Sequence, residues 1–256
     1  MLLSRNRQDN RNFLFFLNEI YPSSIEDPMI GAFAVGSSWD AVAGMINKAR
    51  KKDPFARSIG KACLYVHVPF CGRLCTFCHC RRVLLQRRLD IDAYIKSLAS
   101  LMMRFAPVYE GMDTSSICFG GGTPSILDEE QMTSILDTVD KAFPAPIRKI
   151  LFEVHPASWT ASKLALLSSR GLSRLSIGVE SLDEKVLKSV SRSQTKKKVL
   201  WCLRSARKAG VPHINVDLMA GLPGQKLRGL KSDLKILIDE GASIVHEHGR
   251  ECTTRP

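Results

Sequence analysis

Leu64-Tyr-Val-His-Val-Pro-Phe-Cys71-Gly-Arg-Leu-Cys75-Thr-Phe-Cys78-His-Cys80 joins an apolar, β-branched run to three cysteines at C-x3-C-x2-C spacing. A short run of this kind reads as a buried strand, and the cysteines follow as the loop at its carboxyl end. One loop with this spacing can wrap three thiolates around a single iron–sulfur cube and leave the fourth iron open to a substrate or cofactor. Two other uses of the thiols are weighed against it. A zinc site that includes Cys80 is one, although zinc sites usually draw on two separated cysteine knuckles. A disulfide framework is the other, and it suits small secreted chains rather than one of 256 residues with no evident secretory signal.

Outward from this loop, apolar runs alternate with amphipathic stretches. Strands are expected at 63–68, 116–119, 150–154, 174–177, 213–218 and 243–246. Helices are expected near 91–106, 128–142, 160–169, 183–190, 195–209 and 226–239. Six strands alternating with helices predict an α/β fold, a parallel sheet flanked by helices. A partial (β/α)6 barrel and a flavodoxin-like open sheet both satisfy the pattern, and either places functional residues at the carboxyl ends of strands. Residues 1–60 show little strand patterning and read as a helical leader, with the core at 61–250.

Composition narrows the classes. The chain carries a net charge of +12, gathered at 48–52, 81–88 and 196–198. Solvated helix faces explain such clusters, and a polyanionic partner is the functional alternative. No aromatic-interleaved basic strand points to nucleic acid. No apolar run reaches the ~18 residues of a membrane span. Cytoplasm is the default expectation, and there the eight cysteines should be reduced or metal-bound.

Further motifs sit at expected strand ends: Gly120-Gly-Gly-Thr-Pro124, Phe152-Glu-Val-His-Pro156, Leu172-Ser-Arg-Leu-Ser-Ile-Gly-Val-Glu-Ser181 with Val190-Ser-Arg192, and Ile214-Asn-Val-Asp-Leu-Met-Ala-Gly-Leu-Pro-Gly-Gln225. Glycines without Cβ let backbone amides approach a ligand, and a strand-end carboxylate can hold a ribose. The cysteine loop resembles that of the radical S-adenosylmethionine (radical SAM) enzymes. The ordered set over about 62–245 resembles the oxygen-independent coproporphyrinogen III oxidase family and its relatives.

The resemblance implies the partial barrel. It implies a 4Fe–4S cluster on Cys71, Cys75 and Cys78 whose open iron chelates SAM, cleaved reductively to a 5′-deoxyadenosyl radical. It assigns Tyr65, Gly121 and Glu153 to that SAM. It assigns Phe77, Gly122, Thr123, Glu180, Arg192, Asp217 and Met219 to a second SAM site. Glu180 departs from the family pattern, which has glutamine there, and Cys80 matches an extra cysteine of the oxidase that is not a ligand. The implied substrate is a tetrapyrrole whose propionates lose carbon dioxide. The implied reductant is a flavodoxin or ferredoxin. Arg81 and Arg82 are expected to meet substrate carboxylates.

A two-SAM radical methyltransferase and a non-catalytic haem- or cluster-binding relative are the alternatives. Members continue past a sixth strand into a C-terminal substrate domain, whereas this chain ends in the polar stretch Ile244-Val-His-Glu-His-Gly-Arg-Glu-Cys-Thr-Thr-Arg-Pro256. Its final residues read as unlike a sixth-strand continuation. A truncated or frameshifted product is expected, with completion by a partner subunit as the alternative.

Overall fold

The computed structural model describes residues 61–109, 113–143 and 149–249, so the expected leader at 1–60 and the basic cluster at 48–52 lie outside the described residues. The elements run β1 (Lys61–Val68), β2 (Phe70–Cys71), β3 (Val83–Leu84), α1 (Arg88–Phe105), β4 (Asp113–Gly121), α2 (Glu129–Ala142) and β5 (Lys149–Val154). They continue with α3 (Ala161–Ser169), β6 (Leu172–Glu180), α4 (Glu184–Ser189), α5 (Lys196–Lys208), β7 (His213–Ala220), α6 (Leu227–Asp239) and β8 (Ile244–Gly249).

Six strands form one parallel sheet in the order β1-β4-β5-β6-β7-β8, and β2 pairs with β3 in a small parallel ribbon beside it. Each long strand is followed in space by the next in sequence. A doubly wound open sheet instead reverses its strand order at a switch point. Uniform crossovers keep every helix on one face, so the sheet curls into a partial barrel whose edge strands β1 and β8 each have one neighbour among the described residues. The flavodoxin-like alternative is thereby set aside.

Burial follows the two-residue period of a strand. In β5, Ile150, Phe152 and Val154 are buried under the helices while Glu153 faces the open side. In β6, Leu175, Ile177 and Val179 are wholly buried. The alternate residues Ser176, Gly178 and Glu180 turn to the lumen, where they line a cavity. The outer apolar layer stabilises the sheet, and the lumen is left free for polar groups. Trp159, fully buried after the turn that follows β5, packs its ring 5.8 Å from Phe152, which lies 5.2 Å from Phe119.

Helix starts carry their own signals. Asp128 caps α2, accepting from the Gln131 amide while the Gln131 side chain accepts from the Asp128 amide. Thr160, Asp183 and Thr195 cap α3, α4 and α5 in the same manner. Asp128 also pairs with Arg88 at 2.5 Å. Asp128→Ala is expected to lose about 1 kcal/mol of helix capping and about 2–4 °C of Tm, read by thermal denaturation.

β8 covers the strand expected at 243–246 and runs on to Gly249, and the final residues 250–256 lie outside the described residues. β8 pairs in register with β7 from Asn215↔Ile244 to Ala220↔Gly249. Parallel pairing uses backbone groups, which polar side chains leave available. No helix of the described residues is long and apolar enough to cross a membrane.

Candidate functional site

At the carboxyl ends of the strands a cavity of about 510 Å³ opens. Cys71, Cys75, Cys78 and Cys80 line one wall, and the β4 glycines with Thr123 line a second. Glu153, Glu180, Arg192, Asp217, Met219 and Phe77 complete it. Every residue assigned from the sequence to the cluster or to SAM faces this cavity except Tyr65. Tyr65 stands beside it, about half exposed, with its hydroxyl 3.5 Å from His67 Nδ1.

The cysteine loop is fixed from several sides. Its start is held by the β2–β3 ribbon, where the Leu85 amide donates to the Cys71 carbonyl at 2.9 Å. Its middle is tied to the end of α4, where the Thr76 amide donates to the Val190 carbonyl at 3.2 Å. Arg82 closes it: Nη1 donates to the Cys80 carbonyl and Nη2 to the Cys75 carbonyl, each at 3.0 Å. These bonds give Arg82 a role in holding the loop, beside the one expected of it toward substrate carboxylates. Its Nε is buried without a hydrogen-bond partner among the described residues. Arg81 is exposed, and its carbonyl accepts from His67 Nε2 at 2.9 Å.

The thiols differ in their surroundings. Burial raises the Cys71 thiol, opposed by the Thr123 hydroxyl, which donates to Cys71 Sγ at 3.3 Å. Cys78 is pulled down to about 6, first by the hydrogen bond from the Cys80 thiol, with help from Arg82 and Arg192. The same bond and burial push Cys80 up. Among the described residues no three His, Cys, Asp or Glu side chains stand close enough to hold one metal ion. Zinc gathers its ligands at about 2.3 Å from one centre, whereas a cube spreads three thiolates over three irons. The donor set, three thiols from one loop facing an open cavity, fits the cube better.

Opposite the thiols, Glu153 opens to the cavity, yet the protein packed around it raises its carboxyl first and the Asp217 carboxylate second. Asp217 in turn has His246 Nδ1 of β8 at 3.7 Å. Burial drives His155 down to about 3, so it is neutral at physiological pH. Its Nδ1 accepts from the Ala157 amide at 3.2 Å, which assigns the proton to Nε2. His155 thus serves the turn and also lines the cavity.

Arg192 is buried, with Nη1 3.6 Å from Cys75 Sγ, Nε donating to Gln194 Oε1 at 2.9 Å, and Nη2 donating to the Gly178 carbonyl. Glu180 Oε1 lies 3.4 Å from Nη2. The β6–β7 register shifts between Gly178 and Glu180, and Glu180 has a φ of 61°, so the irregular strand end turns its side chain inward. The roles of Arg82, Gln194 and His246 were not found from the sequence. Gln194 meets the Gly178 and Val179 carbonyls and His246 meets Asp217, all distant along the chain, whereas Arg82 folds back on the Cys75 and Cys80 carbonyls of its own loop, and no local pattern marks these bonds.

The family described as the Radical SAM superfamily matches residues 65–237. The chain is 31% identical over 186 residues to the heme chaperone HemW of Bacillus subtilis, covering 72% of this chain and 48% of that protein. It is 32% identical over 173 residues to the oxygen-independent coproporphyrinogen III oxidase of Escherichia coli, covering 67% of this chain and 38% of the oxidase. The solved structure of that bacterium's coproporphyrinogen III oxidase (HemN), described as a radical SAM enzyme, superposes with a TM-score of 0.69 at 30% identity, over 75% of this chain and 45% of the other. The chain therefore spans less than half the length of these relatives.

Proposed function

Because the chain belongs to the radical SAM superfamily, whose members use a 4Fe–4S cluster and SAM, we propose that Cys71, Cys75 and Cys78 hold the cluster and that this site cleaves SAM reductively. The observation that carries the reading is the convergence of the cysteine loop and the strand-end residues on one cavity. When bound, the cluster supplies the electron that splits SAM to methionine and a hydrogen-abstracting 5′-deoxyadenosyl radical. The chain's own residues then have distinct tasks. Thr123 and Arg192 donate to ligand sulfurs, and Arg82 fixes the loop. The β4 glycines let backbone amides reach the methionine end, Tyr65 packs beside it, and Glu153 accepts from the ribose hydroxyls. Phe77, Gly122, Thr123, Glu180, Arg192, Asp217 and Met219 are assigned to a second SAM.

The oxidase relatives support a tetrapyrrole substrate by their name; in this reading each propionate loses a hydrogen atom to the radical, then carbon dioxide and one electron to an acceptor to leave a vinyl group, with flavodoxin or ferredoxin reducing the cluster in a reducing cytoplasm. A second reading, haem carriage without SAM cleavage, draws on the haem chaperone, which is matched over a larger share of both chains than the oxidase. Anaerobic reconstitution with iron and sulfide, followed by dithionite and SAM, separates the two. The expected result is 5′-deoxyadenosine, with release of carbon dioxide when coproporphyrinogen III is added. A cluster that binds haem and yields no 5′-deoxyadenosine would favour carriage, and failure to assemble any cluster would sink both.

A further inference from the structure

We propose that the buried Glu180–Arg192 pair sets the reduction potential of the cluster, Arg192 raising it through Cys75 and Glu180 holding it down. The inference rests on the cluster reading above. Arg192 and Glu180 side chains are only 9% and 11% exposed, so their charges act through protein rather than through water.

Of the five N–H groups of a guanidinium, three donate to fixed partners here, Cys75 Sγ, Gln194 Oε1 and the Gly178 carbonyl, and Glu180 Oε1 lies 3.4 Å from Nη2 as an ion pair. Gln194 is itself anchored, its amide donating to the Gly178 carbonyl at 3.2 Å and to the Val179 carbonyl. Gly178 leaves room for this arrangement, because a Cβ there would stand 2.6 Å from Arg192 Nη2. Held in this way, the guanidinium cannot swing to a ligand carboxylate without breaking the network. What it does reach is the sulfur of a cluster cysteine.

Reduction adds one electron to the cluster and its thiolates, so the reduced form is the more negative. A cationic donor to a ligand sulfur favours that form, and hydrogen bonds to sulfur are among the levers that set cluster potentials. Glu180 opposes it. Its carboxylate compensates the guanidinium, and its left-handed backbone (φ 61°) is a strained conformation for a residue other than glycine, tolerated where the surroundings fix it. The two residues thus predict shifts of opposite sign. A purely structural strut predicts none.

The test uses the full chain, reconstituted anaerobically as wild type, Glu180→Gln, Arg192→Met and Arg192→Lys. Each is poised against redox mediators, and the reduced cluster is read by electron paramagnetic resonance. Glu180→Gln is expected to raise the reduced-to-oxidised ratio at a fixed potential about tenfold, or ~59 mV for one electron. Arg192→Met is expected to lower it by a similar factor, with Arg192→Lys between. An unmoved or lowered ratio in Glu180→Gln overturns the proposal, and so do shifts of the same sign in both variants. Should Arg192→Met fail to hold a cluster, the Glu180→Gln shift decides alone. A wild type that assembles no cluster overturns the cluster reading and this inference together. A wild-type cluster whose potential ignores both residues overturns only the inference.

Discussion

Replacing Cys75 with alanine is expected to abolish cluster assembly and reductive SAM cleavage while leaving the fold intact. The loop around Cys75 is held by backbone groups: the Cys75 carbonyl takes the Arg82 bond, and the next residue's amide is tied to Val190. Cys75 Sγ accepts from the buried Arg192, so the variant should still fold while losing about 1–3 kcal/mol through the guanidinium N–H left unpaired. Loss of a partner one shell out from a metal typically costs about 10–100-fold. Loss of one of three ligands should exceed that, so 5′-deoxyadenosine should fall by at least about 100-fold. Cys80→Ala is the matched control. Cys80 lines the same cavity and bonds to Cys78, which makes it the sulfur best placed to substitute for a missing ligand. Cluster absorbance and product should survive Cys80→Ala and vanish in Cys75→Ala. Wild-type product from the Cys75 variant would remove this loop from the chemistry, whereas loss in both variants would make Cys80 a fourth participant.

The strands were legible because their outer faces obey one simple constraint. Ile150, Phe152 and Val154, or Leu175, Ile177 and Val179, must be apolar to pack under helices, and that demand recurs every second residue along the chain. Strand ends then locate the lumen, and it was the resemblance to the family that assigned Glu153, Glu180 and Asp217 to a site there, which the structure gathers on one cavity with the cysteine loop. What position along the chain cannot give is which polar group meets which. Arg192 lies 117 residues from Cys75, and Asp233 reaches back 51 residues to accept from the Leu182 amide. Such bonds follow from the curl of the sheet. Arg82 gains its second role for a related reason: an arginine near an expected substrate invites a carboxylate partner, and only the folded loop shows that two of its carbonyls also take bonds from that side chain. β8 runs three residues past the strand expected at 243–246 because side-chain polarity was weighed and backbone pairing was not. His246, polar and on that strand, stands 3.7 Å from Asp217 of the cavity wall.

Gly122→Ala should damage the site by geometry alone, without touching a thiol or a charge. Gly122 donates its amide to the Val68 carbonyl at 2.8 Å, pressing the end of β4 against the turn that leads into Cys71. A Cβ at Gly122 would lie 2.8 Å from both the carbonyl carbon and oxygen of Pro69, and 2.9 Å from the Phe70 oxygen. These are backbone atoms, so no flexible side chain can swing away. Either β4 withdraws or the segment carrying Cys71 shifts. Overpacking of this kind costs about 1–3 kcal/mol, and a displacement near 1 Å at a catalytic site can cost on the order of 100-fold. The expected result is a lowered Tm together with at least about a tenfold loss of 5′-deoxyadenosine per cluster. Gly229→Ala provides the opposite sign from the same chemical change. Gly229 lies in α6, nothing lies within 4 Å of its added Cβ, and glycine inside a helix is worth roughly 0.5–1 kcal/mol less than alanine. That variant should gain stability and keep wild-type cleavage. If Gly122→Ala matched it in both respects, the close approach of β4 to the cysteine loop would have no part in positioning the cluster.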